Sequence, residues 1–115
     1  MPLPSEQIKA RLKRVVSAAK SVLSGQVGLT VGCFSVRNRI YQVDRQLLLQ
    51  FPVFEEYCSR LPNEIPVGSE RLHWNLAVVL STDPQLAEFE FQYRSKILKA
   101  CVQIIERYSE QVAVV

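Results

Sequence analysis

The last third of the chain constrains its fold most strongly. From Pro84 to Tyr108, apolar side chains recur every three or four residues along two adjoining stripes. The first stripe comprises Leu86, Phe89, Tyr93, Ile97, Ala100, Cys101, Ile104 and Tyr108, and the second comprises Phe91, Leu98, Val102 and Ile105. On a helix of about 3.6 residues per turn they cover more than half of the circumference, which predicts a central helix with several neighbours. We expect Thr82 or Asp83 to cap this helix and Pro84 to lie in its first turn.

A second helical pattern lies near the beginning of the chain. Ser5 is placed to cap it, and Gly25 is a natural stop after Ser24. Its apolar residues fall within an arc of about 120°, and they are Ile8, Leu12, Val15, Val16, Ala19, Val22 and Leu23. Four basic side chains, Lys9, Lys13, Arg14 and Lys20, lie outside that arc, and Arg11 lies at its edge. The pattern predicts a surface helix with one buried stripe.

The middle of the chain is less clear. Residues 27–43 follow helical spacing, but Gly28 and Gly32 weaken a helix and some apolar residues alternate, so helix and strand both remain open. We favour a helix from about Leu29 to Gln42.

Pro52 suits the first turn of a short third helix, whose inward side chains would be Phe54, Tyr57, Cys58 and Leu61. A helical turn is expected after Gly68, and residues 75–80 fit either a helix or an extended segment.

Together these patterns predict an all-α single domain over residues 1–115, with four to five helices packed around a long C-terminal helix. The length of 115 residues suits one domain, and 48% hydrophobic residues are enough for one core.

No segment approaches the ~18–20 apolar residues of a membrane span, and no signal peptide is recognisable, so we expect a cytoplasmic protein. The three cysteines, Cys33, Cys58 and Cys101, lack the short spacing of a disulfide framework or zinc site and are expected to be reduced packing thiols.

Catalytic motifs are not recognisable in the sequence. His73 is the single histidine, and only Glu70, three residues earlier, has the spacing to meet it on one helical turn. A metalloprotease helix needs two histidines, and phosphate-binding loops need closely spaced glycines, which this chain lacks. We therefore expect no enzymatic activity, no metal and no cofactor.

Candidate contact residues lie in two places. Arg71 and Trp74 belong to residue types enriched at binding hot spots, and Glu70 adjoins them on a proline-bracketed segment. Arg71 could lay its guanidinium on the Trp74 ring, although Trp74 could equally fill the core. Glu90 and Arg94 stand four residues apart inside the apolar arc of the last helix, which predicts either a partly buried ion pair or a strip exposed to a ligand.

The basic charge is concentrated in the first helix. Residues 5–24 carry five basic side chains, Lys9, Arg11, Lys13, Arg14 and Lys20, against Glu6 alone. Such a face could contact phosphates, so a small nucleic-acid-associated module is the alternative function. A solvated outer face is the simpler interpretation, because no aromatic residues interleave with these charges.

Several short motifs resemble a group of small, uncharacterised bacterial helical proteins that look like immunity proteins of toxin systems. They are Leu23-Ser24-Gly25, Pro66-Val67-Gly68, Arg71 with Trp74 three residues later, Tyr93-Arg94 and Ala100-Cys101. The resemblance implies a helical, non-catalytic protein that neutralises a toxin domain, or regulates another partner, by binding it. The net charge of +3 departs from the acidic character of nuclease inhibitors and argues against a nuclease as that partner.

Overall fold

The computed structural model describes the backbone of residues 5–112 and the side chains of residues 6–109. The helices are α1 (Ser5–Leu23), α2 (Leu29–Val43), α3 (Arg45–Leu48), α4 (Pro52–Arg60), a 3-10 helix (Gly68–His73) and α5 (Leu76–Val112). No strand occurs within residues 5–112. The predicted all-α architecture around a long C-terminal helix is confirmed. None of the helices in this range is long and apolar enough to cross a bilayer.

Helix α1 packs along both α2 and α5. The predicted stripe is buried at Leu12, Val15, Val16, Ala19 and Val22, whereas Leu23 is exposed. The chain leaves α1 at Gly25, whose φ of +76° favours a residue without a side chain and so ends the helix there. The predicted cap at Ser5 involves a side chain outside the described residues.

The ambiguous segment folds as helix α2, as the helical spacing favoured. Gly32 is buried inside it, and a Cβ there would collide with Cγ2 of Val22 on α1. The glycine that weakens α2 by propensity therefore allows α1 and α2 to approach closely. Asp44 then interrupts the helix and accepts a hydrogen bond from Gln46 N at 2.9 Å, so that α3 begins as a separate turn.

Helix α4 begins at Pro52 and buries Phe54 and Tyr57 completely. Leu61, just after the helix, is also buried, while Cys58 is half-buried. These positions confirm the predicted inward face.

The start of α5 differs from the sequence-based prediction. The helix begins at Leu76 and not near Pro84, because Asn75 supplies the cap by accepting a hydrogen bond from Ala77 N at 2.8 Å. Thr82 is an interior residue whose hydroxyl donates to the Val78 carbonyl at 2.8 Å. Pro84 is therefore inside the helix, where it removes one backbone hydrogen bond.

Packing of the connection before α5 offsets that loss. Leu61, Ile65 and Leu86 form a small buried cluster apart from the main core. Val79, in the first turns of α5, is also buried. Burial of Val79 on the inner side of these early turns therefore extends the helix beyond the boundary that the proline suggested.

Candidate protein-binding surface

Glu90 on α5 is engaged inside the molecule. Its carboxylate accepts hydrogen bonds from the backbone N–H and the hydroxyl of Thr30, at 3.2 and 2.9 Å. The same Thr30 oxygen lies 2.5 Å from the phenolic oxygen of Tyr57. Burial raises the pKa of Tyr57 and keeps its phenol protonated. This buried network joins α2, α4 and α5 and indicates a structural role for Glu90.

The predicted ion pair between Glu90 and Arg94 does not form. Glu90 faces the N-terminus of α2, where free backbone N–H groups attract a carboxylate, and Arg94 is exposed. The sequence could not show this preference, because Thr30 is 60 residues away along the chain.

Arg71 also takes a different partner from the one predicted. Its guanidinium pairs with the Asp83 carboxylate at 2.7 Å, which ties the 3-10 helix to α5. The cation–π contacts among residues 6–109 involve Arg45 with Tyr41, and Arg107 with Phe51 and Tyr108, and none involves Trp74. Trp74 is half-buried and Glu70 is exposed.

One face of α5 carries apolar side chains that the rest of the described chain does not cover. We call this face the α5 ridge, and its exposed apolar members are Leu76, Leu80, Pro84, Ala87, Phe91 and Val102. The largest are exposed at 69% for Leu76, 63% for Leu80 and 76% for Phe91. At about 100° per residue these positions fall within an arc of roughly 80°. The ridge is therefore one line along the helix and not a scatter of unrelated residues.

The ridge corrects the expectation that both apolar stripes of the last helix would be covered. The first stripe is in the core, with Ile97, Cys101 and Ile104 fully buried. In the second stripe, Phe91 and Val102 are exposed, while Leu98 and Ile105 only pack against the edge of the core. Too few helices surround α5 to cover its whole apolar circumference.

Of the predicted contact residues, only Arg94 lies on the ridge. On the helical wheel it falls at the edge of the ridge, at the same angle as Leu76, and it is exposed. Sequence reasoning missed Leu76 and Leu80 because the helix was expected to begin after them. The sequence does contain a signal for these two residues, because Leu76, Leu80, Pro84, Ala87 and Phe91 recur every three or four residues, as one face of a helix requires.

The remaining candidate residues lie on two different elements, the 3-10 helix and α1. His73 is exposed on the 3-10 helix, and no cluster of three potential metal ligands occurs in the described part of the chain. On α1, Lys9, Lys13 and Lys20 are exposed. Arg11 is engaged within the protein, because it donates to the Gln42 carbonyl.

Comparison with known proteins finds no matching family model, no similar curated protein and no similar solved structure. The resemblance to small bacterial helical proteins therefore stays a prediction from the short motifs.

Proposed function

We propose that this chain is a non-catalytic protein-binding domain that presents the α5 ridge to a partner protein. The observation that carries the proposal is the exposure of Leu76, Leu80 and Phe91 along one face of one helix. Soluble monomers rarely expose a long contiguous apolar surface, and such a surface is typical of interaction sites. Covering one Leu or Phe side chain contributes roughly 1.5–3 kcal/mol, so these three alone offer several kcal/mol to a complex.

The ridge is held in place before any partner arrives. Ile97 and Ile104 anchor a different face of α5 in the core, and Glu90 ties the helix to α2. The ion pair between Arg71 and Asp83 holds the 3-10 helix against its N-terminal part. A preformed helical surface loses little conformational entropy on binding, which favours affinity.

The partner surface that fits the ridge best is an amphipathic helix or another apolar protein surface. A line of apolar side chains spaced three and four residues apart complements a helix that packs alongside it. Arg94 at the ridge would favour an acidic side chain on that partner. We propose an immunity-type or regulatory role within this class, on the resemblance carried by Pro66-Val67-Gly68, Arg71 and Trp74.

A nucleic-acid-associated module is the second candidate. The exposed Lys9, Lys13 and Lys20 on α1 favour it. Phosphate contacts would make binding strongly salt-dependent. Binding of duplex or single-stranded DNA at low salt that is lost at high salt, and lost with Lys9→Ala and Lys13→Ala, would support this function in place of the first.

Partner capture with matched variants tests the primary proposal. Tagged wild-type protein, Phe91→Glu and Gln85→Glu are each used to recover bound proteins, which are identified by mass spectrometry. Gln85 is exposed on α5 but lies off the ridge. Gln85→Glu therefore introduces the same negative charge and leaves the ridge unchanged. We expect wild type and Gln85→Glu to recover one shared partner and Phe91→Glu to lose it, with unchanged circular dichroism.

Two results would contradict the proposal. One is recovery of the same partner by Phe91→Glu and Leu80→Glu at wild-type levels. The other is the loss of the partner with Gln85→Glu as well, which would place the contact on another face of α5. Sedimentation of the purified protein decides whether the partner is a second copy, because self-association through the ridge would disappear in Phe91→Glu.

A further inference from the structure

Two cysteines meet where α2 packs against α4. The Cys33 sulfur on α2 lies 3.9 Å from the carbonyl oxygen of Phe54 on α4. Within a helix that carbonyl points towards the backbone N–H four residues later, which here belongs to Cys58. The Cys33 sulfur therefore lies against the turn of α4 that ends at Cys58, close enough for the two thiols to interact, and both are free.

Two further contacts between α2 and α4 hold the region around the two cysteines in place. Thr30 on α2 meets the Tyr57 hydroxyl on α4 at 2.5 Å. One turn beyond Cys33 on α2, Arg37 pairs with Glu55 of α4 at 2.9 Å. On α2 the two contacts lie on either side of Cys33, and on α4 they lie one and three residues before Cys58, so the part of the interface that carries both cysteines is held in place.

The two thiols differ in their electrostatic surroundings. Interaction with the nearby Cys33 thiol lowers the pKa of Cys58 below its usual value, and Arg37 acts in the same direction against burial and Glu55. The same interaction, together with burial, raises the pKa of Cys33. Cys58 is half-buried and Cys33 is fully buried. The arrangement pairs a more accessible thiol of lowered pKa, which forms a thiolate more readily, with a sheltered thiol of raised pKa.

We propose that Cys33 and Cys58 are a redox-active dithiol that hydrogen peroxide oxidises to a reversible disulfide linking α2 and α4. Cys58 is the attacking residue because it is the reachable member of the pair, and Cys33 is the resolving residue because its sulfur is already adjacent. Cys101 takes no part. It is fully buried in α5, and burial raises its pKa to about 12.

The reaction has two balanced steps. The Cys58 thiolate attacks one peroxide oxygen, so that an S–O bond forms, the O–O bond breaks and the departing hydroxide takes up a proton to become water. The Cys33 sulfur then attacks the Cys58 sulfur, forming the S–S bond and breaking the S–O bond. The second hydroxide takes the Cys33 proton and leaves as water. Two thiols supply two electrons, which reduce one peroxide to two waters.

Intact mass and thiol counting on the full chain test the proposal. The reduced protein is treated with one equivalent of hydrogen peroxide, denatured and alkylated with iodoacetamide. We expect three labelled cysteines before treatment and one, Cys101, afterwards, with a linked peptide containing Cys33 and Cys58. Dithiothreitol should restore all three. Cys101→Ser is the matched control and should form the same disulfide.

The variants separate the roles of the two sulfurs. In Cys33→Ser, peroxide should leave Cys58 as a sulfenic acid that dimedone traps, since no resolving thiol is adjacent. In Cys58→Ser, Cys33 should remain unlabelled by dimedone because it is buried. Three alkylatable thiols in treated wild type, or a disulfide that includes Cys101, would overturn the proposal. The wild-type measurement decides the matter even where a variant folds poorly.

Discussion

The Glu90 carboxylate on α5 caps the N-terminus of α2 by accepting hydrogen bonds from both the backbone N–H and the hydroxyl of Thr30. Helix N-termini leave several N–H groups without an intrahelical partner. Gly28, the residue before α2, has no side chain to satisfy them. A residue from another helix therefore performs the role that a local Ser or Asp usually has, and the cap also fixes α5 against α2.

Loss of this remote cap should destabilise the protein. We expect Glu90→Ala to lower the free energy of unfolding by about 1–3 kcal/mol, since the partly buried Thr30 donors lose a charged acceptor. Glu88→Ala is the control, because Glu88 is exposed two residues away, and it should change stability by less than about 0.5 kcal/mol. Urea unfolding measures both. Equal unfolding midpoints for the two variants would show that the cap contributes nothing.

The ion pair between Arg71 and Asp83 should contribute much less. Both side chains are partly exposed, at 32% and 43%, so solvent screens the attraction. We expect Arg71→Ala to cost about 0.2–1 kcal/mol, and the double variant with Asp83→Ala to reveal a coupling of similar size. Arg94→Ala, at an exposed position, should cost less than about 0.5 kcal/mol. A coupling of zero in the double-mutant cycle would mean that the 3-10 helix is held by other contacts.

Gly32 tests the close approach of α1 and α2. Alanine improves helix propensity by about 1 kcal/mol, but its Cβ would collide with Val22 and lie 3.1 Å from Val27 Cγ2. Overpacking costs about 1–3 kcal/mol, so we expect Gly32→Ala to lower stability by about 1 kcal/mol overall. Gly28→Ala is the control, since nothing lies within 4 Å of a Cβ there. Thermal unfolding that shows Gly32→Ala to be the more stable of the two would contradict the packing argument.

Alkaline pH should weaken the fold through Cys101. Burial raises the pKa of this thiol from 9.0 to about 12. Between those values the unfolded chain loses the proton and the folded chain keeps it, so the free energy of unfolding falls as pH rises. Cys101→Ala removes this contribution, and its unfolding free energy should fall less steeply over about pH 9–11. Urea titrations under reducing conditions measure the slopes, and parallel slopes for both proteins would refute the assignment.

The sequence by itself determined the helices and most of the core. Periodic apolar residues over α1, α2, α4 and the later part of α5 identified the buried faces, since helical spacing and burial are encoded locally. Val15, Tyr57 and Ile104 are buried as their spacing predicted. The sequence predicted the candidate site less well. It identified Glu90 and Arg71 as important polar residues, but it did not predict that they bind Thr30 and Asp83.

Only the tertiary structure decided where α5 begins, what Glu90 binds and which apolar face is left uncovered. A proline at position 84 favours a helix start by local rules, yet burial of Val79 and the cap at Asn75 extend the helix to Leu76. The cap of Glu90 on Thr30 spans 60 residues. Exposure of Phe91 depends on how many helices surround α5. Each outcome depends on contacts between segments distant in sequence, whose energies outweigh local propensities and appear only once the chain has packed.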